Sequence, residues 1–165
     1  KRNNNRKTIY MIKYLLFFLL SLHSLSYASD KNIIDSISEN KRLQKLNEFV
    51  TASELSSNLT EYENLTLFAP LDDAFAALSA KTYYGYLKQE NRDKLQSLVN
   101  FHFVEGIYTS ENIDDLIVTK SFNNLDLEIN KINGILYVNG AEVVESDIKF
   151  SNGVIHLINR VLIPK

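Results

Sequence analysis

The sequence predicts an α+β domain in which helices come first and most strands come last. In the first hundred residues apolar side chains recur three and four positions apart, which is the spacing of one helix face. The last third instead contains short apolar runs separated by Asn-Gly pairs, a pattern typical of hairpins. Between them, residues 65–69 are almost wholly apolar, as in a strand that is covered on both sides.

The first 28 residues have the three parts of a secretory signal peptide. Residues 1–13 carry five basic side chains and no acid, residues 14–22 are apolar except for Ser21, and small residues lead to Ala28. The apolar run is less than half of the roughly 20 residues that a membrane span needs. We therefore expect cleavage after Ala28, export to the periplasm or the exterior, and one domain over residues 29–165. An uncleaved anchor is the alternative.

Cleavage would make the chain more acidic. It would remove five of the 18 basic residues and none of the 20 acids, which leaves 13 against 20 and a net charge of −7. Such a surface repels nucleic acid and anionic lipid, so neither is expected as a partner. The mature chain contains no further run long enough to span a membrane, and it contains no cysteine, so disulfides and thiolate metal sites are excluded.

Helices are predicted at residues 33–37, 43–50 and 91–103, where apolar side chains follow helical spacing. Gly106 is the expected end of the last of these helices. Its inward face comprises Leu95, Leu98, Val99 and His102. The tyrosine-rich stretch 81–88 is predicted to be a connection that leads to the last of these helices.

The central strand is predicted to run from Leu65 to Ala69 and to pass directly into a helix. Pro70 ends the strand because its ring fixes φ and biases the preceding residue towards extended geometry. Asp72 is the expected cap of the helix that follows, since a carboxylate can accept hydrogen bonds from the free N–H groups of a first turn. Phe75 then points back into the core.

The last third is predicted to be β-structure, with strands at 125–129, 135–138, 141–144 and 154–158. Asn133-Gly134 and Asn139-Gly140 indicate tight primed turns, because both positions of such a turn need a positive φ. Asn152-Gly153 is expected to be a third turn.

Three stretches of the chain resemble the signature boxes of fasciclin-like domains, in the family's order and with its separation. The first is Leu-Phe-Ala-Pro at 67–70 with Asp-Ala-Phe at 73–75, the second is residues 98–106, and the third is residues 152–162. The chain departs from the family pattern at Leu71, where a small polar capping residue is usual, at Phe101, where tyrosine is usual, and at Asn159, where an acid is usual. The motif residues are Phe68, Ala69, Pro70, Asp73, Phe75, Asn152, Gly153 and His156.

The resemblance implies a β-sandwich or wedge with several helices packed around it. It also implies a secreted or periplasmic adhesion or protein-interaction domain, non-enzymatic, whose partner is a protein or polysaccharide at the cell surface or envelope. The alternative is a structural envelope or matrix protein with no adhesive partner. A small-ligand carrier or an enzyme is less favoured.

Catalytic, cofactor-binding and metal-binding residues are not predicted. His102 and His156 occupy apolar positions, where a histidine is expected to be a hydrogen-bonded core residue. The adjacent acids at 72–73 and 114–115 lack the spacing of a calcium loop. The sequence contains neither a nucleophile elbow nor a glycine-rich phosphate loop.

Tyr83, Tyr84 and Tyr86 are the predicted interaction residues, because tyrosine offers a large contact area with a polar tip. The alternative is that two of them pack onto the helix beneath. In the family the tyrosine–histidine pair of the second box is linked to recognition, and the matching residues are Phe101 and His102. Phe101 lacks the hydroxyl and is expected to be core. Asn58 and Asn64 match the N-glycosylation pattern but are expected to be unmodified.

Overall fold

The computed structural model describes residues 31–165, so the predicted signal peptide lies outside the described residues. In chain order the elements are α1 (Ile33–Glu39), α2 (Gln44–Ser53), α3 (Ser56–Thr60), β1 (Leu65–Pro70), a 3₁₀ helix (Asp72–Ala77), α4 (Ala80–Tyr86), a 3₁₀ turn (Gln89–Asn91), α5 (Arg92–Asn100), β2 (Phe103–Glu105), β3 (Ile117–Lys120), β4 (Asp126–Ile132), β5 (Ile135–Val138), β6 (Ala141–Phe150) and β7 (Gly153–Ile158). The α+β prediction is confirmed. Between residues 31 and 165, every helix is too short or too polar to cross a membrane.

All seven strands belong to one sheet, in the order β2-β1-β7-β6-β5-β4-β3. β1 and β7 run parallel, and every other neighbouring pair is antiparallel. The two edge strands come together at an isolated bridge between Val104 and Ser121, so the sheet is nearly closed. β6 shifts register twice, and Asp147 within it has φ 64°. Such bulges increase the local twist of a sheet.

β1 and β7 are buried on both faces, as the apolar run predicted. Leu67 and Ile155 belong to the core cluster that the helices cover. Phe68 and Ile158 point the other way, into a second cluster enclosed by the bent sheet. These two strands therefore separate the two cores of the domain.

The three signature boxes form three neighbouring strands. Phe68 of the first box pairs with His156 of the third, and their rings stack with centroids 5.5 Å apart. Leu67 pairs on its other side with Phe103 of the second box. The boxes therefore build the centre of the fold, and their side chains are occupied in holding it together.

Two of the three predicted turns have the expected geometry. Asn133 and Gly134 have φ 52° and 82°, and Asn139 and Gly140 have φ 45° and 76°. The turn predicted at Asn152-Gly153 is not of this kind, since neither residue has a positive φ. Glycine is needed at Gly153 because the backbone of β1 passes so close that a Cβ would lie 2.1 Å from the carbonyl oxygen of Leu65.

The segment after β1 is a 3₁₀ helix, and Asp72 does not cap it. Leu71 stands at the cap position without a side-chain hydrogen bond. The carboxylate of Asp72 instead accepts from the backbone N–H of Lys45, at 2.8 Å, in the first turn of α2. The cap position of that helix is Leu43, which has no polar side chain. The predicted cap was wrong because the Asp72 carboxylate accepts a hydrogen bond from a free backbone N–H group of the neighbouring helix α2.

Several predicted boundaries were also wrong. The tyrosine-rich stretch is helix α4, because Ser79 caps it by accepting from the N–H of Thr82 at 3.1 Å. α5 ends at Asn100, and Gly106, with φ 103°, follows β2 and ends no helix. β2 and β3, of three and four residues, were not predicted. β6 extends to Phe150, beyond its predicted end at residue 144. Its bulges interrupt the alternation of apolar residues, so the pattern did not indicate the second half of the strand.

Candidate interaction surface

The tyrosines of α4 differ in their exposure because the helix lies against α2. The rings of Tyr83 and Tyr86 contact Phe49 with centroids 5.0 and 6.0 Å away. The Tyr83 hydroxyl donates a hydrogen bond to Glu48 at 2.5 Å. Burial, together with this bond to a carboxylate, raises the pKa of Tyr83 well above its usual value. Tyr83 and Tyr86 therefore pack α4 against α2, which agrees with the alternative that two of the three tyrosines pack onto the helix beneath.

Tyr84 is the tyrosine that α4 presents to solvent. Its side chain is 66% exposed, and its ring contact is an edge-on one with Tyr83, 5.4 Å between centroids. Beside the helix lies a shallow cleft of about 170 Å³ bordered by Gly85, Tyr86 and Lys94. A Cβ at Gly85 would meet open space, so this side of α4 is uncovered. The exposed face of α4 thus offers one aromatic ring on a firmly anchored helix.

Phe101 and His102 lie in the core. Phe101 is 4% exposed and packs in the cluster that contains Phe68. The ring of His102 donates from Nδ1 to the carbonyl of Leu98 at 2.8 Å and accepts at Nε2 from the N–H of Leu162 at 3.0 Å. Both ring nitrogens are therefore engaged by backbone groups that join α5 to the C-terminal segment.

A surface cleft next to Phe101 was not predicted. It has a volume of about 580 Å³, and its apolar wall includes Leu125 and Ile163. Arg160 borders it as well, and the acids of its rim lie on β4. Its lining combines Phe101 of the second box and residues 160–162 of the third with residues of β4 and the turn after β5, so it forms only when these distant segments meet.

His156 belongs to a second polar group that reasoning from sequence missed. Its Nε2–H donates to the carbonyl of Tyr108 at 2.6 Å, and its Nδ1 accepts from the N–H of Asp147 at 3.3 Å. The Asp147 carboxylate accepts from the N–H of Ser110 at 2.8 Å, from the Ser110 hydroxyl and from Ser146. Burial raises the pKa of Asp147, but these hydrogen bonds outweigh it and hold that pKa below its usual value.

This serine, aspartate and histidine are not arranged as a catalytic triad. A hydrolytic triad requires the histidine to accept the proton of the serine hydroxyl. Here the hydroxyl of Ser110 donates to Asp147, and both ring nitrogens of His156 are bonded to backbone groups. The set ties the segment after β2 to the bulge of β6, which is a structural task. Among residues 31–165, no cluster of side chains is suited to hold a metal ion.

The family of this chain follows from comparison with known proteins. The family model of the Fasciclin domain matches residues 41–164, which include all three signature boxes. The chain belongs to the fasciclin family. The solved structure of a FAS1 domain pair from the insect cell adhesion molecule fasciclin I superimposes with a TM-score of 0.71 over 84% of this chain and 51% of that chain. At 15% identity this likeness shows the fasciclin fold alone.

Relatives of this fasciclin domain include short and long proteins. Protein sll1483 of Synechocystis sp. is 35% identical over 136 residues, which cover 82% of this chain and 75% of that protein. Protein sll1735 of the same organism is 30% identical over 132 residues, which cover 80% of this chain and 97% of that protein. Human periostin is 25% identical, and the match covers 82% of this chain but 16% of periostin. The chain thus spans most of the two Synechocystis proteins and a small part of periostin.

The two buried histidines predict a loss of stability in acid. Burial lowers the pKa of His102 to about 4 from 6.5 and also lowers the pKa of His156. When a histidine has a lower pKa in the folded state than in the unfolded chain, it stabilises the folded state at pH values above the pKa of the unfolded chain. For His102 this stabilisation is lost as the pH falls from 6.5 towards 4. For His102 alone the loss amounts to about 3 kcal/mol.

Urea unfolding of the fasciclin domain at a series of pH values measures this effect. We expect uptake of about one proton by His102 on unfolding midway through that window, hence a slope of about 1.4 kcal/mol per pH unit, with a further contribution of the same sign from His156. His102→Gln, which retains hydrogen-bonding groups, should remove the part of the slope that comes from His102. A stability that stays constant from pH 6.5 to pH 4.5 would contradict the neutral, buried state of both rings.

Proposed function

We propose that this chain is an exported, non-enzymatic adhesion or interaction domain that contacts a protein or polysaccharide partner through the exposed face of α4. The observation that carries the proposal is Tyr84, a 66% exposed aromatic ring on a helix that Tyr83 and Tyr86 anchor to the core. Exposed tyrosines supply much of the binding energy at interfaces because they bury a large area at little entropic cost. The membership of a cell adhesion molecule in the same family supports the adhesive role.

The chemistry of the domain also supports a non-enzymatic role. Both ring nitrogens of His102 and of His156 are bonded to backbone groups, so neither ring is free to act as a general base. The Ser110 hydroxyl donates to Asp147, whose pKa is held below its usual value, so this carboxylate is a weak base for activating a serine. The export part of the proposal is supported by the order of basic, apolar and small residues within 1–28.

Adhesion of the purified domain to surfaces coated with envelope or host-surface extracts tests the proposal. Tyr84→Ala should lower the adhesion about tenfold or more, because truncation of a hot-spot tyrosine at the centre of an interface costs about 2 kcal/mol or more. Its free energy of unfolding should change by less than about 0.5 kcal/mol, since the side chain is exposed. Tyr84→Phe keeps the ring and should retain most of the adhesion.

Tyr62→Ala is the control, because Tyr62 is also an exposed tyrosine, 44% accessible, but lies outside α4, with its ring 4.7 Å from that of Phe122. It should leave adhesion unchanged. Equal loss in Tyr62→Ala and Tyr84→Ala, or no loss in Tyr84→Ala, would show that α4 is not the contact surface. A wild-type domain that adheres to none of the surfaces would favour the structural envelope role.

A further inference from the structure

The chain contains three Asn-Gly pairs, and this dipeptide carries a specific chemical reactivity. The backbone nitrogen that follows an asparagine can attack the side-chain carbonyl carbon, and glycine permits this most readily because it has no Cβ in the way. The attack requires the asparagine side chain to rotate over the next peptide nitrogen. A side chain that is held elsewhere by hydrogen bonds is therefore protected. The three pairs of this domain differ in such hydrogen bonds, so we expect them to react at different rates.

Asn152 is held most firmly. Its Oδ1 accepts from the N–H of Ile33 at 2.9 Å, and its Nδ2 donates to the carbonyl of Tyr62 at 3.2 Å. Its backbone carbonyl accepts from the N–H of Leu65 at 2.9 Å. Gly153 lies against the backbone of β1 and cannot shift. The nitrogen and the carbon that would react are both fixed in the centre of the fold.

Asn139 is held in a turn of the same kind as Asn133. Its Oδ1 accepts from the N–H of Glu128 at 2.8 Å, and its own N–H donates to the carbonyl of Glu128 at 2.8 Å. The side chain is thus part of the pairing between β4 and the turn after β5. Rotation towards Gly140 would break the first of these bonds.

Asn133 has the same turn geometry and none of this restraint. It occupies the tip of the β4–β5 hairpin, is exposed, and its side chain makes no hydrogen bond within residues 31–165. A Cβ at Gly134 would meet open space, so nothing crowds the reacting peptide. The two turns differ in the fixation of the asparagine side chain, which makes them an internal comparison.

We propose that Asn133 is a site of spontaneous deamidation in the folded protein, whereas Asn139 and Asn152 are protected. The Gly134 nitrogen loses its proton to solvent base and bonds to Cγ of Asn133, the bond from Cγ to Nδ2 breaks, and ammonia leaves with a proton from water. Water then opens the resulting cyclic imide at either carbonyl, which yields an aspartyl or an isoaspartyl linkage. The reaction needs no enzyme, oxidant or cofactor.

The product changes the hairpin in two ways. It adds one negative charge to a chain that is already acidic. The isoaspartyl linkage also lengthens the backbone of a two-residue turn, whose register depends on its length. Ile132 and Ile135, which pair directly across this turn, are the residues that the change displaces first.

The test is a time course in mildly alkaline buffer at physiological temperature, followed by digestion and mass spectrometry of the three peptides. In the folded protein we expect Asn133 to convert about fivefold or more faster than Asn139, since one hydrogen bond must break at Asn139. Asn133 should convert more than about tenfold faster than Asn152, whose reaction requires a larger opening of the structure.

The same protein in denaturant is the control, because the three pairs then lose their differences in fixation and should convert at similar rates. Asn133→Ser should abolish the new isoaspartyl signal in the folded protein. Conversion of Asn139 or Asn152 in the folded state as fast as Asn133 would overturn the proposal. Persistence of intact Asn133 in the folded protein, while the denatured chain loses it, would overturn it as well.

Discussion

Phe101→Ala is expected to destabilise the domain by about 3–5 kcal/mol, the range for removal of a buried aromatic ring. Phe101 is 4% exposed and packs with Phe68 in the core that the bent sheet encloses. Removal of the ring leaves a cavity that neighbouring strands cannot fill without distorting their pairing. Equilibrium unfolding in urea measures the loss, which should appear as a lower midpoint with an unchanged slope.

Phe101→Leu is the companion variant, because it keeps most of the apolar volume and should cost only about 1 kcal/mol. Its adhesion, compared at equal amounts of folded protein, should equal that of the wild type if Phe101 is a core residue. Abolished adhesion in a stable Phe101→Leu protein would mean that the family's recognition region operates here and that α4 is the wrong surface.

Gly153→Ala is expected to cost upward of about 3 kcal/mol, at or beyond the usual range for overpacking. The added methyl carbon would lie 2.1 Å from the carbonyl oxygen of Leu65 and 2.7 Å from a methyl group of Ile33. The first contact is with backbone, which cannot rotate away as a side chain can. β1 and β7 would have to separate at the point where their parallel pairing begins. The unfolding midpoint in urea is the measurement.

Gly85→Ala is the matched control for this substitution. Gly85 lies within α4, and a Cβ there meets open space. Alanine is the better helix former, so Gly85→Ala should stabilise the domain by about 0.5–1 kcal/mol. If both alanine variants changed stability by similar amounts, the close approach of β1 to Gly153 would not be the reason for that glycine.

The candidate surface could be predicted only in part. The cluster of three tyrosines in four positions pointed to α4, but which of them is exposed depends on the side on which α2 packs. Phe49 covers Tyr83 and Tyr86 and leaves Tyr84 free. No local pattern reports that choice, because a helix of seven residues carries too few apolar positions to define a face.

The polar group around His156 escaped prediction for a related reason. Ser110 and Asp147 are separated by 37 positions, and no motif joins them. Asp147 lies in a bulge of β6, where its backbone has a φ of 64°, and in this conformation its carboxylate contacts Ser110. A bulge depends on how two strands are brought together, so its position is not visible in the periodicity of one of them.

The sequence by itself determined the fold class, the buried central strand, the two Asn-Gly hairpin turns and the family. The first three follow from local patterns, in which neighbouring residues and the backbone conformation they prefer carry the information, and the family follows from the resemblance of three separate stretches to its signature boxes. Only the tertiary structure decided that Asp72 caps α2, that Gly153 is required by close packing, and that Tyr84 alone of the three tyrosines lies open. These outcomes depend on which distant segments meet, and burial and pairing energies between such segments exceed the local preferences of any single residue.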